Sequence, residues 1–384
     1  MSLRTSIFPI FAADILIKQS KQSKKKKKNV VALLLVALII LIVYTFISFR
    51  LSKNEIQFLS KWTISLDEEA LKTETESSLI GFRLGDTLGY FSTAGNLHHK
   101  YTLPTLKNGK LANATLSSDC WTIFDGESSE FTVKNPEGSV LCKINQAGNP
   151  FIDENRLFLF TPSGSSFVSY DFDGNEIWRA EGYSPIISFA SSENSTVVGY
   201  ADGEVRCLSN SGDQIFSMYP GGSSYPIILG VDTSNSGEYV GCVSGIDSQR
   251  FVLIRRTGNQ QKIVFHEYLE GNIKENVNVY FTQDSNYVYY NFANNLGILD
   301  CKKLTSKHLP LTGKVLKIAE IPELNVIFVL SKQGSDCTIT IIEGMKNVLG
   351  VYEYQAETTF ITSLNDNLFI GADDKISCIQ VVKK

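Results

Sequence analysis

The sequence predicts an all-β protein, an eight-bladed β-propeller of four-stranded antiparallel blades closed by strands from both ends and preceded by one transmembrane helix. Three observations lead there. From about residue 55 onward, short runs rich in Val, Ile, Tyr and Phe are punctuated by Gly, Asn, Asp and Ser, with no long helical period. A turn signal recurs with a mean spacing of 41.5 residues, the period of a propeller blade. Ahead of both lies an uncharged run of twenty residues.

The first element is a basic tail. Residues 1–29 carry a net charge of +7, with Lys24–Lys28 as an unbroken run, while the whole chain carries −4, so residues 30–384 carry −11. The second is Val30–Phe49, VVALLLVALIILIVYTFISF, which as a helix rising about 1.5 Å per residue would span roughly 30 Å, the thickness of a bilayer core. It is longer than a signal-peptide core and no small-residue cleavage site follows, so an uncleaved inner-membrane anchor is expected. The lysines before it place the N-terminus inside and the remainder in the periplasm, with Lys24–Lys28 drawn to anionic lipid headgroups. Residues 50–57 read as a linker and 58–384 as the propeller.

The repeat is clearest at SYDFDGNEIWRAEG, residues 169–182, where Gly174 supplies the positive φ of a hairpin turn and Trp178 follows four residues later. Equivalent turns fall at Gly95, Gly138, Gly212, Gly258, near Lys303, and at Gly344, at spacings between 36 and 46 residues. The position four after the glycine holds His99, Cys142, Trp178 and Phe216 in the first four units, so Trp178 is one member of a series. Each turn is preceded by two further apolar runs, as in PIISFA, STVVGYADG and EVRCLSNSG, which makes four strands per unit.

The ends complete the count. After the last full unit, residues 358–382 supply three strands, and FLSKWTISL at 58–66 stands unpaired. Joining them removes the open sheet edges of an unclosed array. Dividing the length by the period gives eight blades, or seven if the weakest unit, whose inner strand would be EEALKTETES at 68–77, merges with a neighbour.

The stretch DFDGNEIW, with Asp171, Gly174 and Trp178 in a D-x-x-G-x-x-x-W pattern, resembles the PQQ-like propeller repeat, and SNSGDQIF at 209–216 resembles it more loosely, with Phe216 replacing Trp. That resemblance implies one of two classes, quinoprotein dehydrogenases or non-catalytic BamB-like proteins of envelope assembly. The predicted anchor is a departure from the BamB-like pattern. A quinoprotein site, as the family implies, would need vicinal cysteines and a carboxylate–calcium cluster, and no Cys-Cys pair occurs.

Other chemistry is sparse. No G-x-S-x-G, H-E-x-x-H, Walker or G-x-G-x-x-G motif is present, so no catalytic, cofactor-binding or metal residue is expected and the protein reads as a non-enzyme. His98, His99, His266 and His308 fall on predicted outermost strands, and adjacent strand side chains diverge, which disfavours shared metal ligation. Seven scattered cysteines look like single buried thiols, though one bridge stays open in an oxidising compartment. The acidic balance disfavours nucleic acid, which needs a basic footprint. Sequons at Asn113 and Asn194 leave the host undecided.

The candidate partner-binding loop is YPGGSSYP, residues 219–226, with Tyr219 and Tyr225, since exposed tyrosines bury large area at low entropic cost. A cluster of charged residues on the first strands would instead mark a small-molecule site in the central channel. PIISFA, PIILGV, NVNVYF and TTFITS contain no acid, which favours a protein-interaction scaffold of the cell envelope over a channel sensor or enzyme.

Overall fold

The computed structural model describes residues 35–45, 56–70, 78–258, 260–271, 273–345 and 347–383. Two compact units divide the chain, residues 59–380 forming one and residues 1–58 with 381–384 the other.

The expected transmembrane helix is corrected. The described helix covers residues 35–45 alone. Eleven residues rise only about 16 Å, roughly half a bilayer core. Among the described residues no helix is long and apolar enough to cross a membrane. The inner-membrane placement, with the propeller in the periplasm, rested on that span and falls with it. Residues 30–34 and 46–49 of the predicted span lie outside the described residues, as do the basic tail with Lys24–Lys28 and residues 50–55 of the linker.

Among the described residues eight sheets follow along the chain, and in the first seven the strands lie in sequence order as meanders. The first holds Leu79–Leu84, Thr87–Ser92 and Leu97–Thr102; residues 71–77, most of its predicted inner strand, lie outside the described residues. Four-stranded sheets then occupy 113–144, 149–180, 186–218, 228–268, 279–310 and 314–355. In the eighth, Thr359–Leu364, Asn367–Ala372 and Lys375–Lys383 are completed by Ile56–Ser65 as the outer strand. Thr63 and Ser377 share a hydroxyl hydrogen bond of 2.9 Å across that closure. The count is eight, not seven.

The first strands of successive blades are laced together. Thr115 Oγ1 accepts from the Ile152 amide at 2.9 Å, Ser188 Oγ donates to the Ile228 carbonyl at 3.2 Å, and Asn278 Nδ2 to the Val315 carbonyl at 2.9 Å. Ser363 Oγ donates to the Glu320 carbonyl at 2.6 Å. Stacked Phe82 and Phe360, centroids 6.2 Å apart, join the first blade to the eighth.

The core follows from this arrangement. A middle strand with a neighbouring blade on each face must be apolar on both, and Thr196–Tyr200 is buried at every residue. Apolar slabs therefore lie between blades: Phe158, Trp178 and Tyr200 between the third and fourth, and Phe251, Tyr290 and Phe292 between the fifth and sixth. All seven cysteines are buried and free.

Candidate functional site

Two places hold the residues singled out from sequence, the outer hairpins and one rim loop, and the channel mouth forms a third site that holds none of them. Gly95, Gly138, Gly174, Gly212, Gly258 and Gly344 all adopt positive φ in turns. At Asp171 the carboxylate accepts from the Asn175 side-chain nitrogen at 3.0 Å, which leads the causes that hold its carboxyl below the usual range, and from the backbone amides of Asn175 and Asp173 at 2.7 and 3.0 Å in an Asx turn.

The hairpins lock neighbouring blades. Trp178, on the third blade's outer strand, lies against Gly212 of the fourth, so a Cβ there would fall 2.7 Å from the indole. Its Nε1 donates to the Asn210 carbonyl at 2.9 Å. Trp62 repeats this on Gly95 with a 3.1 Å bond to the Thr93 carbonyl, and Tyr101 on Gly138 with a 2.8 Å bond to the Pro136 carbonyl. In each case the acceptor lies two residues before the glycine. The ring docked from the first blade is thus Tyr101, two residues beyond His99. Cys142 takes the position against Gly174, and Phe216 is buried among Val240 and Cys242 between the fourth and fifth blades. His98, His99, His266 and His308 all sit on outer strands.

The loop at 219–226 joins the fourth blade's outer strand to the fifth blade's first. Tyr219 and Tyr225 are 60% and 65% exposed. Their backbone is pinned: Ser223 Oγ donates to Asp247, whose carboxylate also accepts the Ser224 amide at 3.1 Å and the Ser248 amide at 3.0 Å. Ser223 leads the causes that hold the Asp247 carboxyl well below the carboxylate range. Tyr183, fully exposed in the preceding interblade loop, and Tyr268, 62% exposed at the end of the fifth blade's outer strand, lie on the same rim. Sequence reading did not single them out, although both share the signal of the loop at 219–226, a tyrosine where an outer strand gives way to the next blade.

At the opposite rim the first strands of the third to eighth blades line a cavity of about 770 Å³. Here the expectation of acid-free first strands is corrected. Asp153, Asp232 and Glu320 stand at or next to the last residues of Asn149–Asp153, Ile228–Thr233 and Lys314–Ile321, and all line the cavity. Asp232 directly follows PIILGV, and Asp153 and Glu320 belong to first strands other than the four quoted from sequence. Asp232 accepts the amides of Thr233 and Phe281 at 2.8 Å each, yet burial outweighs these bonds and pushes its carboxyl up to about 7. Glu320 is also raised by burial while accepting from Tyr280 Oη at 3.0 Å and the Gln283 amide at 2.8 Å. Lys317 lines the same mouth and its charge opposes the rise at Asp232. Chemically this mouth holds a proton near neutrality and presents acceptors to a small polar ligand. Among the described residues, no three His, Cys, Asp or Glu side chains converge on a metal position.

A family model described as beta-propeller protein matches residues 23–384. A protein of Treponema pallidum (strain Nichols), named only as an uncharacterized protein, is 30% identical over 350 residues, covering 88% of this chain and 91% of that relative. Among solved structures, BamB from Moraxella catarrhalis superposes with a TM-score of 0.58 over 84% of this chain and 100% of its own, at 12% identity, a likeness of fold alone. With eight closed blades and a family match over nearly its whole length, the chain belongs to the beta-propeller protein family.

Proposed function

We propose that this protein is a non-enzymatic protein-interaction scaffold that binds its partner on the rim formed by the interblade loops. The observation that carries this reading is the gathering of exposed Tyr183, Tyr219, Tyr225 and Tyr268 on that rim. Tyrosine supplies contact area with few rotatable bonds, and the pinned loop at 219–226 presents it already ordered, so little freedom is lost on binding. The test is site-specific photocrosslinking in intact cells, with a photoreactive residue replacing Tyr219 or Tyr225. A defined protein adduct is expected from the rim and not from a control position on the outer hairpins. Absence of any rim adduct overturns the reading.

A second reading is favoured by Asp153, Asp232, Glu320 and Lys317 at the channel mouth: a small polar ligand bound there, with the propeller as its sensor. Asp232→Asn would then weaken binding of that ligand while leaving rim adducts intact, so one variant separates the two readings.

A further inference from the structure

Arg250 begins the fifth blade's third strand, paired with Ser244 on one side and Tyr268 on the other, so all three side chains share one face at the tyrosine rim. Arg250 is 9% exposed, its Nε is enclosed without a hydrogen-bond partner, and Nη2 donates to the Pro220 carbonyl. Beside it the Ser244 hydroxyl is likewise enclosed and unpartnered. Among the described residues no carboxylate pairs with this guanidinium. The nearby Asp247 is already committed to Ser223, Ser224 and Ser248. Buried charges are ordinarily paired, because desolvating an ion without a counter-charge is costly.

Gly222, at φ +88°, lies on the guanidinium, and a Cβ there would fall 2.8 Å from Cζ. A residue with no side chain at 222 is therefore what lets the loop backbone lie directly on this enclosed cation, so that any counter-charge must reach it by parting the loop from Tyr268. The planar fork of a guanidinium matches a carboxylate, and a hydroxyl beside it adds a third donor.

We infer that Arg250 anchors the protein partner by receiving a carboxylate, from an Asp, a Glu or a chain end, between the Pro220–Gly222 loop and Tyr268. The exposed tyrosines around it select a polypeptide over a free anion, since rings flanking a desolvated arginine form the usual centre of a protein interface. This inference rests on the scaffold reading above.

The test uses the full chain with ¹⁵N-labelled arginine, following the Arg250 Nε–Hε resonance, identified by its loss in Arg250→Met. Sodium acetate is the carboxylate probe. Expected is a saturable shift with acetate, none with tetramethylammonium chloride at equal ionic strength, and no tighter response to inorganic phosphate. In cells, Arg250→Met should cut the Tyr225-position photoadduct about thirtyfold, the loss of one central anchor, with an unchanged or raised melting temperature. Arg250→Lys should restore part of the adduct. An unresponsive resonance, a response tighter for phosphate than for acetate, or an undiminished adduct in Arg250→Met overturns the anchor. A markedly lowered melting temperature in Arg250→Met also overturns it, by making Arg250 a structural strut. Absence of any adduct from the unsubstituted chain instead overturns the scaffold reading, which keeps the two failures distinct.

Discussion

Trp178 of the third blade rests on Gly212 of the fourth and reaches past it to the Asn210 carbonyl, 2.9 Å from Nε1. One contact thus combines an apolar stack, a glycine that admits it and a hydrogen bond that orients it. Replacing Trp178 with Ala removes the stack and the bond and leaves Gly212 without its ring. We expect a loss of about 3–5 kcal/mol in denaturant-unfolding free energy. Trp178→Phe keeps the stack and should cost about 1 kcal/mol for the bond. Equal effects of the two would mean that the indole nitrogen carries the contact.

The reverse substitution tests the same contact from the other side. Gly212→Ala meets both a φ of +83° and a ring 2.7 Å from the new methyl. A non-glycine residue in this region costs about 1–2 kcal/mol before any clash. The midpoint of chemical unfolding should fall by at least that equivalent, and in Trp178→Ala the penalty should shrink, because the steric part has been removed.

Asp232 makes stability depend on pH with a definite sign. Burial pushes its folded carboxyl up to about 7 from an ordinary value of 3.8, so between these values the folded state holds a proton that the unfolded chain has lost. Stability should therefore fall as pH rises from about 4 to 7 and level off above. Asp232→Asn should remove this slope, at the cost of one of the two backbone hydrogen bonds, because its amide nitrogen cannot accept an N–H. Parallel pH–stability curves for the two proteins would refute it.

The cysteines give a direct chemical count. Burial raises their thiols, Cys242 and Cys301 to about 12 and Cys207 and Cys378 to about 11, so few are thiolates at neutral pH. A thiol reagent should react slowly with the native protein. In denaturant without reductant it should titrate all seven. A count of five would reveal a disulfide.

What was legible in the sequence was whatever is local. A hairpin glycine needs positive φ and a blade needs four apolar runs, so Gly95, Gly174 and the closing strand at 58–66 could be read from pattern alone. Tyr101 was missed because its docking depends on how its strand meets the Pro136 turn of another blade. Asp232 had a signal that went unused: an acid at the end of a first strand, echoed by Asp153 and Glu320. Arg250 had none, because its burial depends on Pro220 and Gly222, thirty and twenty-eight positions earlier. Hydrophobic length alone suggested a bilayer span at 30–49, whereas the described helix has half the necessary rise.

The outer strand Ile56–Ser65 finds its partner in Lys375–Lys383, more than three hundred residues later. On a ribosome adding about 5–20 residues per second, that strand is made roughly 15–60 s before the one it must join. Throughout that interval the strand carrying Trp62 lacks the edge of Lys375–Lys383 that it must join. The closure that stabilises the finished protein is thus also its slowest commitment, and the nascent chain is most in need of shielding at its earliest strand.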